Sequence, residues 1–213
     1  MTLTGLLGGS FNPAHDGHRR LSLAALDALG LDEIWWLVSP GNPLKPKKQM
    51  APLAARMASA RHAARRSRIR VTAIERELET VYTVDTIEAL ARRFPERRFV
   101  WLMGADNLAQ FHLWRDWRRI ASSVMIAVVN RPGYDGRALK APAWGWLRRF
   151  VRPATMARQW TTWSLPSLVL LDLPPDSTSA TAIRAANPDW HESAMKSFQP
   201  RAMRDGVTRR PIE

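Results

Sequence analysis

Short apolar runs alternate with longer segments of helical spacing along most of this chain. Residues 3–7 and 34–38 are apolar runs that stop at glycine or at Ser-Pro-Gly, a pattern typical of buried strands. The same pattern predicts further strands at 68–73, 99–103, 123–129 and 167–171, and helical spacing predicts helices at 19–29, 52–66, 84–94, 181–186 and 190–198. Strands that alternate with helices predict an α/β fold whose parallel sheet is covered on both faces.

One domain is expected to include the whole chain, because its 213 residues are enough for one hydrophobic core. We therefore predict a Rossmann-like, doubly wound parallel sheet over residues 1–213, with a C-terminal helix and tail at 187–213. Residues 135–165 are rich in Trp and Arg without a clear period. We expect an irregular insertion there.

Several classes of protein are disfavoured by composition. The chain has no cysteine, so it can form neither a disulfide framework nor a thiolate metal site. No run approaches the roughly 20 apolar residues that span a bilayer, and the N-terminus lacks the pattern of an export signal. We expect a cytoplasmic protein without a membrane segment.

The formal net charge is +13, and the basic residues are densest at 61–70, 92–98 and 148–158. Solvated helix faces explain this charge as well as a surface that binds polyanions. A basic nucleic-acid-binding module is therefore an alternative class, with the Trp-rich and Arg-rich residues 135–165 as its candidate surface. That alternative leaves the phosphate motifs described next unexplained.

The loop after the first predicted strand carries the strongest functional signal. It reads GGSFNPAHDGH over residues 8–18. Gly8 and Gly9 allow the backbone to approach a phosphate closely, and the helix that follows directs its free N–H groups to the same place. His15 and His18 lie three residues apart at the helix start and can donate hydrogen bonds to phosphate oxygens. A tight turn with two surface histidines is the alternative, and the combination of glycines with His-x-Gly-His favours a phosphate site.

Three other segments place polar or aromatic residues near predicted element ends. Residues 179–184, SATAIR, begin a helix and offer either an N-cap or an anion site completed by Arg184. Residues 81–86, VYTVDT, also precede a helix, with Thr83 or Asp85 as candidate caps. Asp106 follows the fourth strand and could accept from ribose hydroxyls, while two later tryptophans either stack on a ligand ring or pack in the core.

These segments resemble a known family. The loop at 8–18 resembles the signature of the nucleotidyltransferase superfamily with a His-x-Gly-His motif, and 179–184 is similar to its second motif, S-x-T-x-I-R. The members that the chain most resembles are the bacterial nicotinate-nucleotide adenylyltransferases, whose S-Y-T-x-D-T stretch is similar to 81–86. The resemblance runs over residues 3–186 and is poor at 135–165.

The resemblance implies an adenylyltransferase of NAD biosynthesis. Its reaction would transfer AMP from ATP to nicotinate mononucleotide, giving nicotinate adenine dinucleotide and pyrophosphate. The nearest alternative is the same chemistry on nicotinamide mononucleotide or phosphopantetheine. Mg²⁺ would travel with ATP. ATP and nicotinate mononucleotide would be the partners, with no membrane or nucleic acid, and a homo-oligomer is left open.

The family pattern also assigns roles to residues. It implies a catalytic set of His15, His18 and Lys45. It implies ATP contacts from Gly8, Gly9, Ser10, Phe11, His15, His18, Ser179, Thr181, Ile183 and Arg184. It implies nicotinate mononucleotide contacts from Tyr82, Thr83, Asp85, Thr86, Gly104, Asp106, Trp114, Trp117 and Arg131.

Three positions depart from the family pattern. Asn12 stands where the family usually has Asp. Asparagine keeps a hydrogen-bonding side chain but lacks the negative charge. Leu44 replaces a common His, while Lys45 beside it keeps the basic character. Val81 replaces a Ser.

Overall fold

The computed structural model describes residues 1–41, 50–130, 138–172, 179–196 and 203–212. Its strands are β1 (Thr2–Gly9), β2 (Glu33–Val38), β3 (Ile69–Thr72), β4 (Arg97–Gly104), β5 (Met125–Asn130), β6 (Val151–Arg152) and β7 (Leu168–Asp172). They form one sheet in the order β3-β2-β1-β4-β5-β7-β6, and every pair of neighbours is parallel. The predicted Rossmann-like parallel sheet is confirmed.

The helices of the described residues are α1 (Asp16–Ala28), α2 (Leu53–Ala64), α3 (Ile74–Glu77), α4 (Thr83–Arg93), α5 (Ala105–Gln110), α6 (Trp117–Ser123), α7 (Pro142–Leu147), α8 (Ala180–Ala186) and α9 (Trp190–Lys196). Gly30 follows α1 with a φ of +63°, the left-handed conformation that ends helices and suits glycine. Residues 148–162 add two 3₁₀ helices, Arg148–Phe150 and Ala154–Thr162, on either side of β6.

Hydrophobic residues cover both faces of the sheet because successive strand residues point to opposite sides. Trp36 packs in a cluster with Leu21 of α1 and Ala60 of α2. Its neighbour Trp35 packs in the opposite cluster, which contains residues of α4, α5 and α6. The doubly wound arrangement is therefore a consequence of a fully buried β2 between two helical layers.

Several elements differ from the sequence prediction. The short helices α3, α5 and α6 were not predicted, and Ser123, expected to start a strand, ends α6. The C-terminal segment 203–212 lies along the edge strand β3, where the Gly206 N–H donates to the Val71 carbonyl at 2.9 Å. The Asp205 carboxylate accepts from the Ala73 N–H at 2.8 Å. Within the described residues, no helix is long and apolar enough to cross a bilayer.

Candidate active site

A cavity of about 490 Å³ opens at the carboxyl ends of β1 and β4. These adjacent strands are where the order of the sheet reverses, the place at which doubly wound sheets bind ligands. The predicted site residues that line the cavity are Gly8, Gly9, Ser10, Phe11, His15, His18, Tyr82, Thr83, Gly104, Asp106, Trp114 and Ser179. Segments that are far apart in the sequence thus meet around one space.

The two histidines share a geometry that fixes how each ring is protonated. The His15 Nδ1 accepts from the Gly17 N–H at 3.1 Å, so His15 caps α1. The His18 Nδ1 accepts from the His15 N–H at 3.3 Å and completes a capping box. An imidazole that accepts at Nδ1 carries its proton on Nε2 when neutral. Both rings line the cavity with their centroids 3.9 Å apart, and each carries its proton on Nε2 when neutral.

The glycine loop is held tightly against the sheet. A side chain at Gly8 would come within 2.7 Å of the Trp101 ring, so only glycine fits without displacing that indole. Phe11 has a φ of +46° and is buried, with its ring stacked on Trp36 at 5.0 Å. Phe11 therefore contributes to the cavity wall mainly as a support of the loop, and its ring also lies 5.0 Å from that of His18.

Asn12, the departure from the family Asp, makes a contact that needs no negative charge. Its Oδ1 accepts from the Ala51 N–H at 3.2 Å, and an amide oxygen can fill that role. The Asn12 main-chain carbonyl accepts from the Arg184 Nη1 at 2.6 Å. Asn12 thus connects the first motif both to the start of α2 and to the second motif.

The second motif forms helix α8. Ser179 is its N-cap, with Oγ accepting from the Ala182 N–H at 3.1 Å, as the capping alternative predicts. Arg184 also donates from Nη2 to the Thr181 Oγ1 at 3.2 Å. Thr181 and Ile183 do not line the cavity, and Arg184 reaches the first motif without lining it.

Aromatic and polar side chains line a further part of the cavity. Trp114 packs edge-on against Trp101 and Phe111, at 6.1 and 5.4 Å between ring centroids. Tyr82 is partly exposed, and the Arg115 guanidinium lies 4.6 Å from its ring centroid. Tyr82 is itself the N-cap residue of α4 and no side chain caps that helix, so the expectation of a Thr83 or Asp85 cap is wrong.

The structure places three of the residues predicted to contact nicotinate mononucleotide away from the cavity. Thr86 is completely buried, and its hydroxyl bonds to the Tyr82 carbonyl and the Thr80 hydroxyl, so it cannot touch a ligand in this arrangement. Trp117 packs against Phe111 and Trp146, which favours the core alternative over stacking on a ligand. Asp85 points from the first turn of α4 and does not line the cavity. Lys45 and Arg131 lie outside the described residues.

Other cavity residues were not singled out from the sequence. They include Glu75, Gln110 and Arg115, together with Ser39 after β2. Arg115 is the one Lys or Arg among the described lining residues, and it directly follows the predicted Trp114. A basic residue next to that tryptophan was a usable signal. Glu75 follows the apolar end of β3 and gives no local signal of its own.

Glu75 connects the two sides of the cavity. Its carboxyl is hydrogen-bonded with Ser39 at the end of β2 and accepts from the Thr86 Oγ1 of α4 at 3.5 Å. Burial raises the pKa of Glu75 to about 7. The hydrogen bonds with Ser39 and Thr86 stabilise the charged form and offset part of this rise.

Among the described residues, no group of three or more His, Asp or Glu side chains is arranged to hold a metal ion. The carboxylate that faces the cavity from α5 is Asp106, in the first turn of that helix and exposed.

Comparison with known proteins connects this geometry to a family. The cytidylyltransferase-like family model matches residues 6–186. The chain is 58% identical over 209 residues to "Probable nicotinate-nucleotide adenylyltransferase" of Erythrobacter litoralis, covering 98% of this chain and 94% of the relative. It is 53% identical over 180 residues to the protein of the same name from Parvibaculum lavamentivorans, covering 84% of this chain and 90% of the relative.

A solved structure shares the fold. It is the Plasmodium falciparum nicotinic acid mononucleotide adenylyltransferase complexed with NaAD, with a TM-score of 0.64 and 15% sequence identity. The match covers 87% of this chain and 83% of that one. With the sequence matches to nearly full-length relatives, these findings show that the chain belongs to the cytidylyltransferase-like family and, within it, to the nicotinate-nucleotide adenylyltransferases.

Proposed function

We propose that the protein transfers AMP from ATP to nicotinate mononucleotide, releasing pyrophosphate and forming nicotinate adenine dinucleotide. The observation that supports this most strongly is the meeting of two distant motifs at one cavity. His15 and His18 from the first motif and Ser179 from the second line the same space. The aromatic residues Tyr82 and Trp114, which line the same cavity, offer a place for a pyridine ring.

The triphosphate is proposed to lie along the glycine loop. Nε2–H donors of His15 and His18 hold oxygens of the α- and β-phosphates, and the N-terminal end of α1 adds its positive dipole end. Ser179 and Arg184 hold the β- and γ-phosphates from the start of α8. Thr181 supports Arg184 through their hydrogen bond.

The chemical step is a direct in-line displacement. A phosphate oxygen of the mononucleotide forms a bond to the α-phosphorus of ATP, and the bond from that phosphorus to the α,β-bridging oxygen breaks. Pyrophosphate leaves with the electron pair. The protein supplies positioning and charge stabilisation, because the two imidazoles donate to oxygens whose negative charge grows in the transition state.

Mg²⁺ is proposed to enter as part of the substrate MgATP. Phosphate oxygens and water satisfy most of the octahedral shell that Mg²⁺ demands. Asp106 is the described carboxylate placed to bind a metal-bound water or a ribose hydroxyl.

The acceptor is proposed to lie against Tyr82, Thr83 and Trp114, with Arg115 facing its nicotinate carboxylate. A guanidinium binds a carboxylate more strongly than a neutral carboxamide, so Arg115 favours nicotinate over nicotinamide. A cytoplasmic location and a single domain over 1–213 remain predictions, and the oligomeric state is left open.

The test is pyrophosphate release by the pure protein with MgATP and each of nicotinate mononucleotide, nicotinamide mononucleotide and phosphopantetheine. We expect the highest kcat/KM with nicotinate mononucleotide. Faster turnover with phosphopantetheine, or no turnover with either mononucleotide, contradicts the proposal.

The role of Arg115 is tested by Arg115→Gln. We expect the preference for nicotinate over nicotinamide mononucleotide, as a ratio of kcat/KM values, to fall roughly tenfold because a charge-assisted hydrogen bond is lost. Arg118→Gln is the matched control, since Arg118 stacks on Trp117 outside the cavity. An unchanged ratio in Arg115→Gln removes Arg115 from the account of specificity.

A further inference from the structure

Arg56 is a buried arginine directly behind the phosphate side of the cavity. It lies in the first turn of α2, with only 1% of its surface exposed. Its Nη1 donates to the Ser10 carbonyl at 2.8 Å and to the Ser39 carbonyl at 2.7 Å. Its Nε donates to the Ala51 carbonyl at 2.9 Å. One guanidinium therefore joins the glycine loop, the end of β2 and the start of α2.

The positive charge of Arg56 has no described carboxylate partner. The ion pairs of the described residues do not include it, and its hydrogen bonds end on main-chain carbonyls. A buried cation that is not paired costs several kcal/mol relative to a solvated one. Burial lowers the pKa of Arg56 to about 10, so the group remains cationic at neutral pH.

Two of the three residues whose carbonyls it holds, Ser10 and Ser39, line the cavity. An anion bound beside Ser10 and Ser39 would be attracted by the positive charge of Arg56, which is hydrogen-bonded to the carbonyls of both residues. A polyphosphate is the anion that the glycine loop and the two histidines are arranged to receive. This charge, which has no carboxylate partner in the described part of the chain, and the phosphate site are thus neighbours.

We propose that Arg56 is a positioning residue for the triphosphate of ATP, fixing the Ser10 and Ser39 segments of the wall and adding buried positive charge behind it. This inference rests on the proposed function for the identity of the anion. Arg56 acts through the backbone that it holds, so its effect belongs to the nucleoside triphosphate and much less to the acceptor.

The experiment compares Arg56→Gln with Arg56→Lys in folded, full-length protein. Glutamine removes the charge, and we expect the Kd for MgATP, measured by calorimetric titration without acceptor, to rise about tenfold or more. Lysine keeps the positive charge but lacks the planar guanidinium with its several N–H donors. The Kd of Arg56→Lys for MgATP should therefore rise less, by about threefold. The KM for nicotinate mononucleotide should stay within about twofold of wild type in both variants.

Arg19→Gln is the matched control. Arg19 also donates to two main-chain carbonyls, those of Ala63 and Arg65, at 2.9 and 2.8 Å, but it does not line the cavity or hold its wall. We expect an unchanged Kd for MgATP in this variant. An equal loss in Arg19→Gln would mean that any arginine–carbonyl anchor produces the effect, and it would overturn the proposal.

A wild-type Kd for MgATP in a folded Arg56→Gln protein also overturns it, as does an equal rise in the KM for the acceptor. If Arg56→Gln does not fold, Arg56→Lys decides, and a Kd indistinguishable from wild type contradicts the proposal. Failure of the proposed function is a separate result. It appears as absent turnover by wild-type protein that still binds MgATP.

Discussion

At the scale of single residues, the two histidines of the first motif show how local hydrogen bonds prepare a phosphate site. Each ring uses Nδ1 to accept a main-chain N–H, and this leaves Nε2 as the donor in the neutral form. The same bonds cap α1, so two side chains that line the cavity also stabilise the helix start. Structural and functional roles therefore cannot be separated by removing the whole ring.

Two substitutions of His18 separate those roles. Asparagine places an acceptor near the Nδ1 position and keeps the bond from the His15 N–H, but it removes the Nε2 donor. Glutamine reaches the Nε2 position and loses the Nδ1 acceptor. We expect His18→Asn to keep the melting temperature within a few degrees and to lower kcat by about 10²–10³, as loss of a transition-state donor does.

His18→Gln should show the reverse pattern, with a lower melting temperature and a smaller loss of kcat. Thermal unfolding and pyrophosphate release on both variants provide the measurement. A normal kcat in His18→Asn would show that the histidine pair has a structural role only.

Glu75 is a second residue whose chemistry depends on burial. Its pKa is raised from 4.5 to about 7, so between these values the folded protein holds a proton that the unfolded chain has released. The contribution of this bound proton to the free energy of unfolding is fully present below pH 4.5 and is lost as pH rises through 7. A shift of this size corresponds to about 3 kcal/mol in the free energy of unfolding.

Glu75→Gln tests this pH dependence, because glutamine resembles the protonated acid at every pH. We expect wild type to lose about 3 kcal/mol relative to Glu75→Gln between pH 4.5 and pH 8. Urea unfolding across that range gives the free energy of unfolding of each protein as a function of pH. The same pH dependence in wild type and in Glu75→Gln would show that Glu75 keeps an ordinary pKa in the folded protein.

At the scale of elements, the site is built from loops that follow strands and from helix N-termini. The ends of β1 and β4 are adjacent in the sheet, and α1, α4 and α8 begin close to them. The link between the first and last motifs is a single hydrogen bond from Arg184 in α8 to the Asn12 carbonyl, joining residues 172 positions apart. This bond fixes the second motif against the first.

Arg184→Gln should therefore weaken MgATP binding about tenfold, both by loss of the phosphate contact and by loss of the link to Asn12. Stability should change little because α8 has no buried residue. Arg119→Gln is the control, since Arg119 pairs with Glu88 between α6 and α4 outside the cavity. Equal Kd values for MgATP in Arg184→Gln and wild type would exclude a role for Arg184 in the triphosphate site.

Most elements were predictable, including the seven-residue helices α8 and α9, whereas the short helices α3, α5 and α6 were not. The strands β1, β2, β4 and β7 and the helices α1, α2 and α4 carry enough residues for a period to show. Helices α3, α5 and α6 contain four, six and seven residues, and no helical period was recognised in those segments. Trp117 illustrates a second limit, because its position in the core depends on Trp146, far away in the sequence.

The same limit applies to the site. The glycine loop and the SATAIR motif were predictable because their residues are contiguous, and their meeting followed from a parallel sheet. Arg56 was not predictable, since two of its partner carbonyls are 46 and 17 residues away. Glu75 gains its character from burial between β2 and α4, a property of packing that no short motif reveals.

At the scale of the whole molecule, a strongly basic protein with a net charge of +13 has a cavity at the switch point of its sheet. Of the basic side chains in the described residues, Arg115 lines the cavity, Arg184 is hydrogen-bonded to its loop, and Arg56 lies behind it. Most of the positive charge lies elsewhere and acts on anionic substrates only as a long-range field that salt weakens. Specific binding belongs to the few residues at the cavity.

The central claim is that the phosphate of nicotinate mononucleotide attacks the α-phosphorus of ATP within this cavity. The most direct test is mass spectrometry of the products formed by pure protein from MgATP and nicotinate mononucleotide labelled with ¹⁸O at its free phosphate oxygens. Direct attack predicts nicotinate adenine dinucleotide that retains every labelled oxygen and pyrophosphate that contains none. Label in the pyrophosphate, or the absence of the dinucleotide, would contradict the account.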